Sequence, residues 1–338
     1  MVSVIIDTYN YGKFIEDAID SVLNQDFPKN EMEVIVVDDG STDDTPERVK
    51  KYKDKIKYIY KENGGQASAI NVGIENSNGE YIVLLDSDDY FHPEKIKKVV
   101  DEFERYEKLA CVLNSRKIID EINKEEKDEE LPSFHNLELK RENLHFLKKL
   151  TYGTSRSSFR KNFLKNVLPI PQELKIEADL YLNLAIIWFG NFSYLNEKLT
   201  YYRIHGGNLF CLERINKLPL QINTMKIALK NVREIARRSK IYDPYILDKI
   251  LKPYEIEIME KEFLLNAFSK KAKRKEFLKM EIEKFKFYKD DWNFSYKFYK
   301  ILRLPFLTLL PPKILIDLKN FYWENKYFKI RNLFFPQK

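Results

Sequence analysis

The stretch that decides the fold is Glu80-Tyr-Ile-Val-Leu-Leu-Asp-Ser-Asp-Asp-Tyr-Phe-His-Pro93. Its apolar run at 81–85 is typical of a buried β-strand. The run ends in Asp86, Asp88 and Asp89, whose carboxylates repel one another unless a cation lies among them. Asp86 and Asp88 are two residues apart, so in an extended chain both point to the same side. Oxygen ligands of this kind favour Mg²⁺ or Mn²⁺, although an acidic turn without a ligand has the same composition.

The residues before this stretch alternate between strand and helix patterns. Strands are predicted at 2–6, 33–37, 56–60 and 81–85, and helices at 14–23, 45–52 and 66–76. Nearly continuous apolar strands separated by helices indicate a mostly parallel sheet with helices on both faces. For the second helix, Thr45 is the predicted N-cap and Pro46 the first helical residue. The predicted fold class is therefore α/β, with a Rossmann-like sheet.

Polar residues follow each predicted strand at its carboxyl end. The four clusters are Asp7-Thr-Tyr-Asn10, Asp38-Asp-Gly-Ser41, Asn63-Gly-Gly-Gln66 and Asp86-Ser-Asp-Asp89. In open α/β sheets, ligands bind beyond the carboxyl ends of the strands. One polar cluster alone is typical of a turn, but four clusters at equivalent strand ends predict a single site.

The patterns further along the chain are more mixed. The predictions are a helix at 93–106, a strand at 111–114, a charged loop or hairpin tip at 120–130, helices at 159–167 and 178–188, and a strand at 199–205. After residue 211 the pattern is helical and amphipathic. We therefore predict one domain at 1–210, with halves that meet near residue 110, and a helical C-terminal region at 211–338.

The composition limits the class of protein. The chain has 338 residues, of which 44% are hydrophobic and 33% charged, as expected for a globular protein. Two distant cysteines, Cys111 and Cys211, argue against a disulfide framework and favour a reducing compartment. The sequence has no apolar run of about 18 residues, and no basic segment precedes the first strand. We therefore expect a cytoplasmic protein without a signal peptide.

The basic charge is concentrated towards the C-terminus. Residues 211–338 hold 29 Lys and Arg against 15 Asp and Glu, whereas residues 1–210 hold 29 against 37. Aromatic residues alternate with the lysines beyond residue 284, which is typical of a peripheral helix on an anionic membrane. A solvated helical face, or a cap packed on another domain or subunit, has a similar composition. Nucleic-acid binding is not expected, because the sequence contains no recognised reader motif.

The motifs of the first hundred residues resemble the nucleotide-sugar-binding half of family 2 inverting glycosyltransferases of the GT-A fold. The matching segments are Val2–Asn10, Ser21–Gln25, Val34–Asp43, Asn63–Ala67, Ala69–Gly73 and Gly79–Asp89. They cover about a quarter of the chain in the family's order, and a weaker resemblance continues to His205. The resemblance implies that 1–110 is the nucleotide-sugar-binding half and 111–210 the acceptor and catalytic-base half. The remaining residues, 211–338, form a helical C-terminal extension that the resemblance does not describe.

The resemblance implies how the donor nucleotide and its metal are held. Asp39 would bond the base, Asp86 the ribose or sugar, and Asp88 the divalent ion, Mn²⁺ or Mg²⁺, and the diphosphate. Asp89 would orient this pair from behind. Seven further residues are assigned to the donor side: Thr8, Tyr9, Asn10, Asn63, Gln66, Asn71 and Ser87. The family often has Pro where this chain has Asp7, and an extra carboxylate there either alters the base contacts or faces solvent.

An inverting displacement needs a carboxylate base for the acceptor hydroxyl. By resemblance it belongs to an acidic helix start, here Lys175-Ile-Glu-Ala-Asp179. Asp179 is preferred because Leu182 and Leu184 then keep their apolar spacing, and Glu177 is the alternative. Both are also ordinary helix-start charges.

The run Tyr201-Tyr-Arg-Ile-His-Gly-Gly-Asn208 is predicted to close over the ligand. His205 is predicted to complete the metal shell, as its imidazole suits Mn²⁺. Arg203 is placed behind the metal site, where it would support the acidic residues or pair with phosphate.

Together these observations predict a metal-dependent inverting hexosyltransferase. Its donor would be a UDP- or GDP-sugar, and its acceptor a hydroxyl of a glycan or lipid-linked sugar. A nucleotidyltransferase is the alternative enzyme, but Gly12-Lys13 is a poor version of a triphosphate loop. A non-catalytic nucleotide- or glycan-binding protein on the same fold is the other alternative. Through residues 270–338 the protein is expected to contact the inner face of the cell membrane.

Overall fold

The structure is a computed structural model that describes residues 1–129, 132–147, 153–205, 208, 217–268 and 274–288. Contacts divide the chain into two compact units, Met1–Glu213 with Asn223–Ile250, and Arg214–Ile222 with Leu251–Lys338. The predicted division at residue 210 stays a prediction. Residues 223–250 group with the first unit, so the helical C-terminal region is shared between the two units.

Four parallel strands form one half of the sheet in the first unit. They are β1 (Val2–Thr8), β2 (Met32–Asp38), β3 (Lys57–Tyr60) and β4 (Tyr81–Asp86), in the order β3-β2-β1-β4. The intervening helices are α1 (Gly12–Leu23), α2 (Thr45–Val49) and α3 (Gln66–Glu75). All seven elements lie where the sequence predicts them. The capping prediction is wrong by one residue, because α2 begins at Thr45 and Asp44 is its N-cap.

Six more strands extend this sheet. They are β5 (Tyr90–Phe91), β6 (Leu109–Asp120), β7 (Glu125–Asp128), β8 (Phe134–Leu137), β9 (Ser157–Arg160) and β10 (Asn191–Ile204). The order continues from β4 through β9, β6 and β10 to β5, with β7 paired to β6 and β8 to β10. The strand β9 is antiparallel to both of its neighbours, whereas β10 is parallel to β6. The sheet is therefore mostly parallel, as predicted, and the predicted hairpin tip at 120–130 is the β6–β7 turn.

Four more helices lie between β5 and β10. They are α4 (Lys95–Arg105), α5 (Leu144–Leu147), α6 (Lys161–Leu164) and α7 (Ala178–Ile186). Three of them test predictions, and α4 confirms the helix predicted at 93–106. The helix predicted at 178–188 is confirmed by α7. The helix predicted at 159–167 is wrong at its start, since Phe159 lies fully buried in β9 between β4 and β6. Pairing on both edges outweighs the local helical spacing there.

The core holds the carboxyl ends of the central strands in place. Val4 and Ile6 of β1 are buried in one cluster with Ile15 and Ile19 of α1. On the opposite face, a Cβ atom at Gly73 would lie 2.4 Å from Ile5 Cγ2, so α3 packs directly on β1. Because both faces are covered, the polar residues that end these strands gather at one edge of the sheet.

Three helices follow, α8 (Leu218–Arg238), α9 (Pro244–Phe268) and α10 (Arg274–Tyr288). In the second unit, Lys252 of α9 lies 2.6 Å from Glu283 of α10, and Lys284 pairs with Glu260. Some lysines of this basic region therefore pair with acids of the same unit. None of the helices in the described ranges is long and apolar enough to cross a membrane. Most of the predicted membrane-contact region, 270–338, lies outside the described residues.

Candidate active site

The three acidic residues after β4 form one cluster. Each of Asp86, Asp88 and Asp89 offers a carboxylate oxygen, and these oxygens lie within 4.8 Å of one another. Burial and the neighbouring Asp88 raise the pKa of Asp89 to about 7. Burial also raises the pKa of Asp86, with Asp7 and Asp88 adding to the shift. A divalent ion would relieve this repulsion, and an all-oxygen donor set fits Mg²⁺ or Mn²⁺.

Two side chains from the segment after β10 close over Asp88. His205 Nε2 lies 3.1 Å from Asp88 Oδ2, and Asn208 Nδ2 lies 3.3 Å from the same oxygen. Asn208 Oδ1 also accepts a hydrogen bond from the backbone N–H of His205, at 2.9 Å. The His205 ring packs 4.3 Å from the Phe14 ring, between centroids. The structure therefore brings His205 to the acidic cluster, where it was predicted to lie.

Asn208 is a residue that the sequence analysis missed. It ends the quoted run Tyr201–Asn208, but its amide was given no role because nothing local distinguishes it from a turn residue. Its side chain also donates to the backbone oxygen of Arg203, at 2.7 Å. It therefore fixes the backbone that leads from Arg203 to His205.

Asp89 faces the protein interior. Its Oδ2 accepts a hydrogen bond from Ser155 Oγ at 2.6 Å, and its Oδ1 accepts one from the backbone N–H of Arg203 at 3.0 Å. The Arg203 guanidinium lies 2.9 Å from Asp17 Oδ2 and 3.6 Å from Glu121 Oε1. The guanidinium therefore pairs with two acids, and its predicted contact with phosphate stays a prediction. Asp89 is therefore the member of the cluster that faces the interior, and Arg203 lies behind it.

Gln66 connects the two halves of the site. Its Nε2 donates to Asp86 Oδ1 and to Thr154 Oγ1, each at 3.0 Å. Its Oε1 accepts a hydrogen bond from the backbone N–H of Ala178 at 3.1 Å. Gln66 is the first residue of α3, and Ala178 is the first residue of α7. One amide therefore joins the end of β4 to the helix that begins beside Asp179.

The two base candidates occupy different positions at the start of α7. Asp179 is buried in the first turn, and its Oδ2 accepts a hydrogen bond from the backbone N–H of Gly153 at 2.7 Å. Burial raises the pKa of Asp179, against hydrogen bonds and Arg116 that lower it. Glu177 is the N-cap residue, with a left-handed φ of 57°. Such a conformation costs about 1 kcal/mol or more for a residue with a Cβ, so the backbone at this helix start is strained.

Asp39 holds the loop before α3. Its Oδ1 accepts hydrogen bonds from Lys61 Nζ at 2.5 Å and Gly64 N at 2.9 Å, and its Oδ2 accepts one from Gly65 N at 2.7 Å. Gly65 has a φ of 88°, and a Cβ there would lie 2.8 Å from Lys175 Cα. The carboxylate is therefore fixed at the edge of the site. Its predicted bond to the base stays a prediction.

The other donor-side residues differ in exposure. The Tyr9 side chain is 46% exposed at the end of β1, so its ring is accessible to a ligand. Thr8 and Ser87 are buried, and the hydroxyl of each has no hydrogen-bond partner among the described residues. Asn63 is exposed in the loop between β3 and α3. All four lie in the predicted strand-end clusters, and their ligand contacts stay predictions.

Two asparagines assigned to the donor side form hydrogen bonds within the protein. Asn10, with a φ of 58°, accepts a hydrogen bond from the Thr42 backbone N–H at 2.7 Å through its Oδ1. Asn71 bonds both backbone groups of Ile170, at 2.8 and 2.9 Å. Their polar atoms tie loops together, and their predicted contacts to the donor stay predictions. Motif position alone does not separate ligand contacts from loop anchors.

Asp7 is half-buried near the end of β1, in register with Asp86. Its Oδ1 has no hydrogen-bond partner among the described residues. Burial raises its pKa to about 8, and Asp88, Asp39 and Asp179 add to the shift. The carboxyl group is therefore part of the acidic site and does not face solvent.

Several known proteins are similar to this chain in sequence. Residues 3–168 match the model of the family described as glycosyl transferase family 2. An uncharacterized glycosyltransferase of Nostoc sp. is 32% identical over 217 residues, which cover 61% of this chain and 66% of that protein. The poly(ribitol-phosphate) beta-N-acetylglucosaminyltransferase TarS of Staphylococcus aureus is 30% identical over 207 residues, which cover 59% of this chain and 35% of TarS. The chain thus spans less than two thirds of these relatives.

Solved structures share the fold. A crystal structure of S. aureus TarS 1–349 in complex with UDP has a TM-score of 0.62 and 24% identity, over 83% of this chain and 78% of that one. A mannosyltransferase from Pyrobaculum calidifontis in complex with GDP-Man and Mn²⁺ has a TM-score of 0.54 and 16% identity, over 99% and 88% of the two chains. Identities this low establish the fold alone, which is the predicted GT-A fold. Residues 3–168 therefore form a domain of the family 2 glycosyltransferase type.

Proposed function

We propose that this protein transfers a sugar, with inversion, from a nucleoside diphosphate sugar to a hydroxyl group of a glycan or lipid-linked acceptor. The observation that carries the proposal is the Gln66 bridge. It links Asp86 of the acidic cluster, at 3.0 Å, to the helix start that holds Asp179. A donor held by the acidic cluster and an acceptor hydroxyl beside Asp179 would then be separated by the length of one side chain, Gln66. Displacement needs this proximity.

The donor is proposed to be a UDP- or GDP-sugar. TarS structures with UDP and UDP-GlcNAc, and the mannosyltransferase with GDP-Man, have the same fold. In this chain, the exposed Tyr9 ring and the fixed Asp39 carboxylate lie at neighbouring strand ends. An aromatic face and a carboxylate suit a base that presents an N–H group, as uracil and guanine do.

Divalent metal use is supported by the donor set of the acidic cluster. Asp86 and Asp88 would hold the ion, His205 would complete its shell, and Asp89 would orient the others. Mn²⁺ is proposed above Mg²⁺ because an imidazole nitrogen is adjacent to the carboxylates. When bound, such an ion neutralises charge on the leaving diphosphate.

Asp179 is proposed to take the proton from the acceptor hydroxyl. Burial raises its pKa, which makes a carboxylate a better proton acceptor than one in water. The backbone N–H of Gly153 donates to its Oδ2 and helps to fix the orientation of the carboxylate. Glu177 is the alternative base. It is the N-cap residue, in a left-handed conformation, and lies just before the first turn of α7 that contains Asp179.

The acceptor and the cellular location are proposed from charge. The net positive charge of residues 211–338 suits an anionic membrane surface, where lipid-linked acceptors lie. We therefore propose a cytoplasmic enzyme that associates peripherally with the inner face of the membrane. Sedimentation with phosphatidylglycerol vesicles, but not with phosphatidylcholine vesicles, would support this part of the proposal.

The decisive experiment combines binding and turnover. Melting temperature is measured with UDP, GDP, CDP and dTDP, each with and without Mn²⁺, because a ligand that binds the folded state raises it. Hydrolysis of the matching nucleotide sugar is then followed, with Asp88→Ala as the test variant and exposed Asp54→Ala as the control. The transferase is supported if the shift in melting temperature and the hydrolysis both depend on metal. Both should be lost in Asp88→Ala and kept in Asp54→Ala.

Two other outcomes would replace the proposal. A nucleotide-dependent shift without hydrolysis or transfer to any hydroxyl acceptor would indicate a binding protein on the same fold. No shift with any nucleotide, in a folded sample, would contradict the nucleotide-sugar site itself. Retention of the anomeric configuration in the product, seen by NMR, would contradict inversion only.

A further inference from the structure

A buried lysine lies directly behind the acidic cluster. Lys95, the first residue of α4, is 0% exposed. Its Nζ donates hydrogen bonds to Ser155 O at 2.6 Å, Asn114 Oδ1 at 2.9 Å and Thr200 Oγ1 at 3.0 Å. These acceptors use all three donors of an ammonium group. The ammonium group is therefore fixed in one position in the protein interior.

The partners of Lys95 are neutral, which is unusual for a buried charge. An ammonium group removed from water loses several kcal/mol of solvation unless charges or dipoles compensate. Three oxygen dipoles and the Phe91 ring, 4.1 Å from Nζ, provide part of this compensation. Burial lowers the pKa of Lys95, as does Arg156, whereas the nearby Asp89 carboxylate raises it. An ammonium charge on Lys95 would therefore attract the Asp89 carboxylate of the acidic cluster.

Ser155 forms the physical connection between Lys95 and the cluster. Lys95 fixes the Ser155 backbone oxygen, and Thr200 Oγ1 donates to the same oxygen at 2.8 Å. The Ser155 hydroxyl donates to Asp89 Oδ2 at 2.6 Å and accepts the backbone N–H of Asp86 at 3.0 Å. A single anchored serine therefore sets the position of two cluster residues. Its orientation depends on the lysine beneath it.

We propose that Lys95 is a positioning residue that acts through Ser155 to hold Asp86 and Asp89 in a metal-binding arrangement. The sequence places Lys95 in an amphipathic helix, where a lysine is ordinarily a solvent-facing residue. Its burial among Asn114, Ser155 and Thr200 assigns it to the site instead. This inference rests on the proposed metal-dependent transferase.

The test compares metal affinity with stability. Manganese affinity of the full chain is measured by electron paramagnetic resonance for the wild type, Lys95→Met and Ser155→Ala, with thermal melting of each. Loss of a group that orients metal ligands typically costs about 10- to 100-fold in metal affinity. We expect Lys95→Met to weaken Mn²⁺ binding about tenfold or more, and Ser155→Ala to weaken it in the same direction. Excess Mn²⁺ should then restore the turnover of both variants.

Lys261→Met is the matched control. Lys261 is also buried, and its Nζ donates to Gln221 Oε1 at 2.9 Å within the second unit. We expect this substitution to lower the melting temperature while leaving Mn²⁺ affinity unchanged. If Lys261→Met lowers Mn²⁺ affinity as much as Lys95→Met does, the loss of affinity is explained by general destabilisation. That result would overturn the proposal.

The other outcomes separate this inference from the proposed function. A folded Lys95→Met with Mn²⁺ affinity within about twofold of the wild type overturns the positioning role. If Lys95→Met does not fold, Ser155→Ala decides, by the same criterion. A wild-type protein that binds Mn²⁺ but transfers no sugar contradicts the proposed function and leaves this inference testable by affinity. A wild type that binds no Mn²⁺ contradicts both.

Discussion

Gln66 Nε2 lies 3.0 Å from Asp86 Oδ1, and this hydrogen bond joins the first residue of α3 to the last residue of β4. The same side chain reaches the first residue of α7 through its Oε1. A shift of α7 relative to the strand end would therefore break one of these bonds. Gln66 sets the distance between the acidic cluster and the proposed base, and its own atoms need not contact the reacting groups.

Gln66→Ala should separate positioning from binding. We expect turnover to fall about tenfold or more, because small displacements of reacting groups are costly in rate. The Mn²⁺ affinity should change less, because Asp86, Asp88 and Asp89 remain. Turnover and Mn²⁺ binding are measured on the same sample, with Gln172→Ala, an exposed glutamine, as the control. Equal losses in affinity and turnover would show that Gln66 acts on the metal site alone.

Asp179→Asn tests the identity of the base. Removal of a general base typically costs about 10²- to 10⁴-fold in rate, whereas nucleotide-induced stabilisation should remain. Glu177→Gln should lower the rate far less. Because burial raises the pKa of Asp179, wild-type activity should fall with decreasing pH at values above those of an exposed aspartate. The reverse order of the two variants in initial-rate measurements would move the base to Glu177.

His205→Ala should weaken metal binding and alter metal preference. The imidazole lies 3.1 Å from Asp88 Oδ2, and its nitrogen favours Mn²⁺ over Mg²⁺. We expect a loss of about tenfold or more in Mn²⁺ affinity, with a smaller change for Mg²⁺. Competition titrations of the two ions measure both values. His92→Ala is the control. If the ratio of Mn²⁺ affinity to Mg²⁺ affinity is the same in His205→Ala as in the wild type, His205 is not a ligand of the metal.

Much of the first half of the fold follows from the sequence, for a physical reason. Strands buried on both faces leave continuous apolar runs, as at 81–85, and each run ends where the backbone meets solvent. The local pattern therefore predicts both the strand and the edge at which Asp86 and Asp88 lie. Phe159 shows the limit, because its strand is defined by pairing with β4 and β6, which are distant in sequence.

The site is less predictable because its connections are long-range. Asn10 and Asn71 belong to the motifs, yet their partners Thr42 and Ile170 give them structural contacts. Lys95 lies beyond the last matching segment, and its burial depends on partners up to 105 residues away. Residue type and spacing indicate which groups reach the edge of the sheet. They do not indicate which of these groups are already bonded to the protein.

Asp7→Asn should change how stability depends on pH. The folded-state pKa of Asp7 is about 8, above its ordinary value of 3.8, because the carboxyl is buried beside other acids. Between about pH 4 and pH 8 the folded state therefore binds more protons than the unfolded state, so wild-type stability falls as pH rises through this window. In chelator, chemical unfolding of Asp7→Asn should show a shallower fall and higher stability than the wild type at pH 8. Exposed Asp54→Asn is the control, and parallel curves for wild type and Asp7→Asn would mean that Asp7 is already ionised and compensated at neutral pH.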